Sequence, residues 1–296
     1  MNASEQVGNV QALWRFPVKS MLGEQADAVD LSQGGTVGDR AYAVRDKETG
    51  KIASAKHPTL WPDMFRCRAA YLEPPRAGDP IPAVRIELGD GTTVDSDDLD
   101  VDAVLSRFFG REVELARSAD NGYTIDQYHP DEADYDPGGH RDEVVEAALG
   151  AAFFEEQGMP SAVAEDSFFD LFPVSVLTTS SLNRFGELAP DSRFDATRFR
   201  MNVIVETPEP GFVENNWVGR TLAIGDEVQL TVALPDPRCV MPSLAQEDLP
   251  RDKGILKTLV KHNRLDVGGA MYPCAGVYAV AQATGTMRTG DPVGLQ

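Results

Sequence analysis

Residues 216–240 read NWVGRTLAIGDEVQLTVALPDPRCV. The run DEVQLTVAL alternates apolar and polar residues at the period of a half-buried strand, and together with NWVGRTLAI it predicts a two-strand unit. Pro235 and Pro237 are expected to end the second strand, because proline has no N–H to give to a ladder. Cys239, beside Arg238, then falls where a sheet gives way to a loop. Strand patterns prevail on both sides of this unit.

Toward the C-terminus, GILKTLVKHN (254–263) predicts a helix and CAGVYAVAQATGTMRTGDPV (274–293) two final strands. Toward the N-terminus, PVSVLTT (173–179) reads as a strand running into SSLNRFGEL (180–188), a helix with a Thr/Ser cap. RFRMNVIVET (198–207) reads as a further strand. In the first third, NVQALWRFPVKS (9–20) is a strand ending in a loop, and residues 23–46 add two strands around a glycine-rich turn. KETGK (47–51) is a hairpin turn, with KIASAKH (51–57) as its return strand. AVRIELGDGTTVDS (83–96) is the clearest hairpin. In DLDVDAVLSRFFG (98–110), Val101, Val104, Leu105 and Phe108 share one helix face, and Gly110 follows as a C-cap.

Residues 118–166 are polar, acidic and rich in Pro and Gly, and read as a long, partly mobile excursion. The expected division is therefore an N-terminal domain over 1–117, the excursion over 118–166 and a second domain over 167–296. The expected fold class is α+β, strand-rich and barrel-like, with a few short helices.

The 296 residues carry 47 acidic and 27 basic side chains, a net charge of −20, which argues against nucleic acid as a partner. No run has the length of a membrane helix, and the first residues lack the pattern of a secretory signal. Three widely spaced cysteines without a C-x-x-C indicate neither a disulfide framework nor a structural zinc site, so a reducing cytoplasm is the expected compartment. Signatures of phosphate loops, dinucleotide folds, serine hydrolases and zinc proteases are missing. His129 and His140 lie near Asp131, Asp134 and Asp136, which could bind a cation, but the spacing fits no known loop and a solvated segment is the plainer reading.

Basic and small polar residues recur at strand ends: Lys19, Ser20, Arg40, Lys56, Thr178 to Ser181, Arg198, Arg200 and Arg238. In so acidic a chain they could converge on an anion, with the helix start at 178–181 adding backbone N–H groups. Each one taken alone reads first as an ordinary surface cation paired with a nearby acid. Cys239 has three readings at this point: a small buried hydrophobe, a nucleophile or a soft-metal ligand, and composition favours the first. Cys67 reads as core, and Cys274 as a residue in a loop before the final strand.

Together these stretches resemble one family. FPVKSMLGEQADAVDLSQGGTVGDRAYAV (16–44) is similar to the opening of the N-terminal β-barrel domain that accompanies some MOSC domains, the domains named for the C-terminal part of molybdenum cofactor sulfurase. TRFRMNVIVE (197–206), FVENNWVGRTLAIGDEVQLTV (212–232), RCV (238–240) and GTMRTGDPV (285–293) follow in the order of the MOSC domain itself. The resemblance, which covers roughly 10–115 and 165–293, is to members that include the mitochondrial amidoxime-reducing components.

It implies a molybdenum cofactor with Cys239 as the protein ligand to the metal and as the catalytic residue. It also implies that Lys19, Ser20, Arg40, Thr178, Ser180, Arg200, Asn202 and Arg238 surround the pterin and its phosphate, with Lys56 and Arg198 in the same basic set. The implied activity is oxidoreductase: reduction of small N-hydroxylated or N-oxide compounds by oxygen-atom transfer, with electrons from a separate donor protein. The alternatives are a carrier of cofactor or sulfur without turnover, and a degenerate fold used as a binding module. Two departures bear on the substrate wall: the family pattern R-C-x-x-T-x-V-D-P becomes RCVMPSLAQEDLP (238–250), which puts Pro242 where the threonine stands, and F-R-P-N becomes FRMN (199–202).

Overall fold

The computed structural model describes residues 5–117, 122–163 and 167–296. Seven strands close into a barrel. In spatial order they are Val174–Thr178, Val203–Glu206, Glu5–Arg15, Pro292–Leu295, Thr221–Ile224, Val228–Pro237 and Ala270–Ala283, and the last pairs back onto the first. Its interior is a continuous set of buried aliphatic residues, among them Val10, Leu13, Val176, Val205, Leu222, Leu230, Val232, Val277 and Val293. Strand alternation puts these side chains on one face, and burying that face is the main drive for closure. At the seam, Gly276 sits at φ +82°, and a Cβ there would lie 2.5 Å from the carbonyl oxygen of Val176. Only glycine permits both that backbone and that approach.

The first strand thus serves the barrel built mainly from the last third of the chain: it pairs with Val203–Glu206 on one side and with Pro292–Leu295 on the other. The segment after it folds as smaller antiparallel sheets, Arg68–Tyr71 with Val84–Glu87 and Thr93–Asp95, and Tyr42–Asp46 with Val113–Arg117. The helix Val101–Phe109 lays Leu105 into their core and ends at Gly110 in the left-handed conformation, as its sequence predicts. Val240, Met241 and Leu244 enter the same core, so the loop after Cys239 is plugged into the N-terminal half.

Several local expectations change. The strand from Val228 runs through both prolines to Pro237, because register shifts at Val232/Leu234 and Pro235/Pro237 accommodate the missing N–H groups. KIASAKH forms a single bridge, Arg45 to Ile52, rather than a strand. Arg198 lies in the one-turn helix Ala196–Phe199, and the strand begins only at Val203. Cys274 is inside the strand Ala270–Ala283, not in a loop.

The excursion is also more ordered than its composition suggests. Thr124–His129 pairs with Glu143–Ala148 as a hairpin, followed by the helix Gly150–Glu156. Its alternating runs TIDQYH and EVVEAA carry the strand signal beneath the acidic composition. Its two ends, at 118–121 and 164–166, lie outside the described residues. No helix among the described residues is long and apolar enough to cross a membrane.

Candidate functional site

A cavity of about 680 Å³ opens between the barrel, the N-terminal sheets and the excursion hairpin. Lys19, Ser20, Arg40, Lys56, Arg200, Asn202, Arg238 and Cys239 all line it. Residues up to 220 positions apart in the chain therefore line one cavity.

Asp39 organises this wall. Its carboxylate accepts from the backbone N–H of Phe16 (2.7 Å), from the Asn202 side-chain amide (2.7 Å) and from the Arg40 guanidinium. The three separate motifs FPVKS, GDR and FRMN meet on this one buried acid. Arg40 and Arg200 then stack on the Phe16 ring, at 4.7 and 4.3 Å from its centroid. The aromatic face lets two like charges sit close together. Ser20, Arg40 and Arg200 all hold positive φ (+65°, +49° and +57°), a conformation that costs non-glycine residues free energy and gathers at functional sites.

Asp170 joins the two lysines: Lys19 Nζ lies 2.8 Å and Lys56 Nζ 3.1 Å from its Oδ1. Burial works to raise the Asp170 pKa, but Lys19 and Lys56 outweigh it and hold the carboxylate well below its usual range. Lys19 is shifted the other way, down to about 8, because burial outweighs the attraction of Asp170. Arg200 is pushed down as well, first by burial and then by Arg40. Cationic charge in this wall exceeds its local partners, which is the electrostatic requirement for an anion site. The Lys19 shift has a measurable consequence. Sulfate, which does not titrate in this range, is expected to bind most tightly below about pH 8 and progressively less tightly above it, as Lys19 loses its proton. Calorimetric titration checks this, and Lys19→Met should remove the inflection near pH 8 while leaving weaker binding.

In the same lining, Arg238 donates to the carbonyl of Phe199 (2.6 Å) and pairs with Asp236. Burial raises the Asp236 carboxyl to about 6, with Arg238 opposing the shift. Arg238 Nε and Asp236 Oδ1 are buried without a hydrogen-bond partner, which leaves one donor and one acceptor of this pair unused. Cys239 is partly exposed beside them. Cys67 and Cys274 are both buried, and burial pushes their thiols up to about 12, so neither is a ready thiolate.

Three expected site residues are not brought here. The Thr178 hydroxyl caps its helix by accepting from Ser181 N–H (3.2 Å) and donates to buried Glu214 (2.6 Å). Ser180, two residues on, borders a separate pocket with Asn183 and Thr207. Arg198 is wholly buried and binds the carbonyls of Arg193, Pro242, Leu244 and Pro250. It holds the Cys239 loop from behind and does not reach the cavity. Asn202 does line the cavity, but its amide is spent on Asp39 and Ser175.

The remaining walls were not anticipated as site residues. Phe153, Phe154 and Met159 come from the excursion, and Phe169, Phe172 and Tyr278 from the barrel side. The aromatic run FFDLF around Asp170, and Asp236 between two prolines, are the signals in the sequence that point to them. Met241 lines the cavity, whereas Pro242, the altered residue of the loop, is not among its lining residues and gives its carbonyl to Arg198.

A closed barrel, a plugged cysteine loop and a cationic cavity between two sheet systems describe a MOSC-type architecture. The chain carries both domains of that architecture: the MOSC domain matches residues 165–294, and the MOSC N-terminal beta barrel domain matches residues 7–120. Among curated proteins, mitochondrial amidoxime-reducing component 1 of Mus musculus is 24% identical, covering 98% of this chain and 83% of that protein. Among solved structures, the YuaD protein of Bacillus subtilis aligns at TM-score 0.45 and 12% identity over 97% of this chain and 94% of that one. YiiM of Geobacillus stearothermophilus aligns at TM-score 0.30 and 17% identity over 42% of this chain and 54% of that one.

Proposed function

We propose that the cavity holds a molybdenum cofactor and that the protein is an oxidoreductase that reduces small N-hydroxylated or N-oxide compounds. The observation that carries this reading is Cys239: a partly exposed thiol in a cavity whose wall supplies Lys19, Lys56, Arg40, Arg200 and Arg238, in a chain of net charge −20. The donor set fits the group. A thiolate is the right soft ligand for a sulfur-ligated metal, and the excess cations and the unpartnered Arg238 Nε suit a phosphate-bearing pterin. Similarity to the amidoxime-reducing component supports the same reading.

Such a cofactor, when bound, supplies two-electron oxygen-atom-transfer chemistry. The chain's part is to ligate through the Cys239 sulfur, to neutralise the anion with the lysine and arginine wall, and to shield the substrate with the phenylalanines. Reduction of an N–O bond also consumes protons. Asp236, raised to about 6 and open at Oδ1, is placed to hold one next to Cys239. Turnover is therefore expected to fall as pH rises through about 6, and Asp236→Asn should abolish that limb of the pH–rate profile.

The function is tested by expression in a host that makes the cofactor, metal and pterin analysis, and assay with an artificial electron donor. A metal-free product overturns the assignment. A loaded protein that reduces no hydroxylamine or amidoxime favours the carrier reading, in which Cys239 holds a cofactor in transit. Electrons in the cell would come from a separate donor protein.

A further inference from the structure

The tip of the excursion hairpin gathers a second set of ligand atoms, away from Cys239. His129 ends the strand Thr124–His129, and Asp136 and His140 stand in the loop that follows. One ligating atom from each lies within 4.8 Å of the others. Asp136 Oδ2 is 2.7 Å from His140 Nδ1 and 3.6 Å from His129 Nδ1. Donor atoms that share a metal at bond lengths of about 2.1 Å stand roughly 3.0–3.4 Å apart, so small side-chain adjustments would bring these to ligand positions.

The ordinary alternative is an Asp136–His140 ion pair closing a turn. It accounts for His140, whose backbone N–H also donates to Asp136 (3.0 Å), but not for His129. The His129 Nδ1 is buried and makes no hydrogen bond, although it faces the same carboxylate oxygen. A buried ring nitrogen without a partner is uncommon and calls for an occupant. The loop is also shaped around the cluster: a Cβ on Gly138 would lie 2.9 Å from the His140 ring and 3.0 Å from Asp136 Oδ2.

We propose that His129, Asp136 and His140 bind one first-row divalent transition ion, zinc being the best match, and that the ion pins the hairpin tip. Two imidazoles and one carboxylate suit zinc and its neighbours, and not calcium or magnesium, which take all-oxygen shells. Three protein ligands leave a fourth position for water. His129 and Asp136 both line the large cavity, so the ion fastens one of its walls.

Cobalt(II) titration of the purified protein, with zinc competition, is the test. Wild type is expected to show one equivalent of visible d–d absorption that zinc displaces. His129→Gln and Asp136→Asn should each weaken cobalt binding by about 10- to 100-fold, and Cys239→Ser should retain it. Circular dichroism without metal confirms that the variants fold. Arg141, exposed in the same loop, provides a second readout: zinc should slow tryptic cleavage after it in wild type and not in His129→Gln. Absence of cobalt bands in wild type, their loss only with Cys239→Ser, or a cleavage rate indifferent to zinc each overturns the proposal.

Discussion

Cys239→Ala is expected to fold normally and to purify with less than about a tenth of the wild-type molybdenum, since the proposed function makes Cys239 the chain's one ligand to the metal. The change removes a part-exposed sulfur from a cavity wall and leaves the neighbouring plug of Val240, Met241 and Leu244 in place. Its thermal midpoint without cofactor should therefore stay close to that of wild type. Neither remaining cysteine can substitute: both are buried, with thiols pushed up to about 12. Elemental analysis of both proteins from the same host measures the effect, and reduction of N-hydroxylated compounds should vanish with the metal. Undiminished molybdenum in the variant would place the ligand elsewhere.

Arg198→Ala is expected to produce the largest loss of stability of any single change near the site, about 3–5 kcal/mol. Its guanidinium is wholly enclosed and serves four carbonyls, those of Arg193, Pro242, Leu244 and Pro250. Truncation leaves several buried acceptors without a donor and opens a void beneath the Cys239 loop. Arg198→Lys should rescue little, because one ammonium cannot span a set of acceptors that a planar fork does. Urea unfolding of the cofactor-free proteins gives the comparison: the midpoint should fall with an unchanged slope. Because the loop behind Cys239 loosens, cofactor retention should fall as well, although Arg198 touches no part of the cavity.

Arg198 also shows what the sequence could and could not disclose. Lys19, Arg40, Arg200 and Arg238 were recognisable because cations beside prolines and strand ends stand out in an acidic chain. Arg198 has the same local setting, and only the path of residues 242–250, which fold back over it, separates a loop clamp from a cavity residue. Thr178 likewise carries a clear capping signal, and the sequence cannot show that Glu214 is waiting on the other side of its hydroxyl. The barrel strands were legible from alternation alone. Their closure was not, because the pairing of Val174–Thr178 with Ala270–Ala283 joins segments about a hundred residues apart. The excursion hairpin is hidden by composition: Asp, Pro and Gly at its tip outweigh the twelve patterned residues of its arms. Asp39, on which three motifs converge, is the middle residue of GDR, and nothing local in the sequence distinguishes it from the other acids.

The first strand of the barrel pairs with the last, Glu5 opposite Leu295 and Gln6 opposite Gly294. During synthesis at about 5–20 residues per second, Glu5–Arg15 leaves the ribosome roughly 15–60 s before that partner exists. Until then the edge at Glu5–Asn9 that this partner covers stays open, an exposed strand edge of the kind that chaperones bind and that aggregates when they do not. The barrel can close only after Pro292–Leu295 has been made, so its contact order is high and its folding slow. Any cofactor seated between the two halves must wait for that strand.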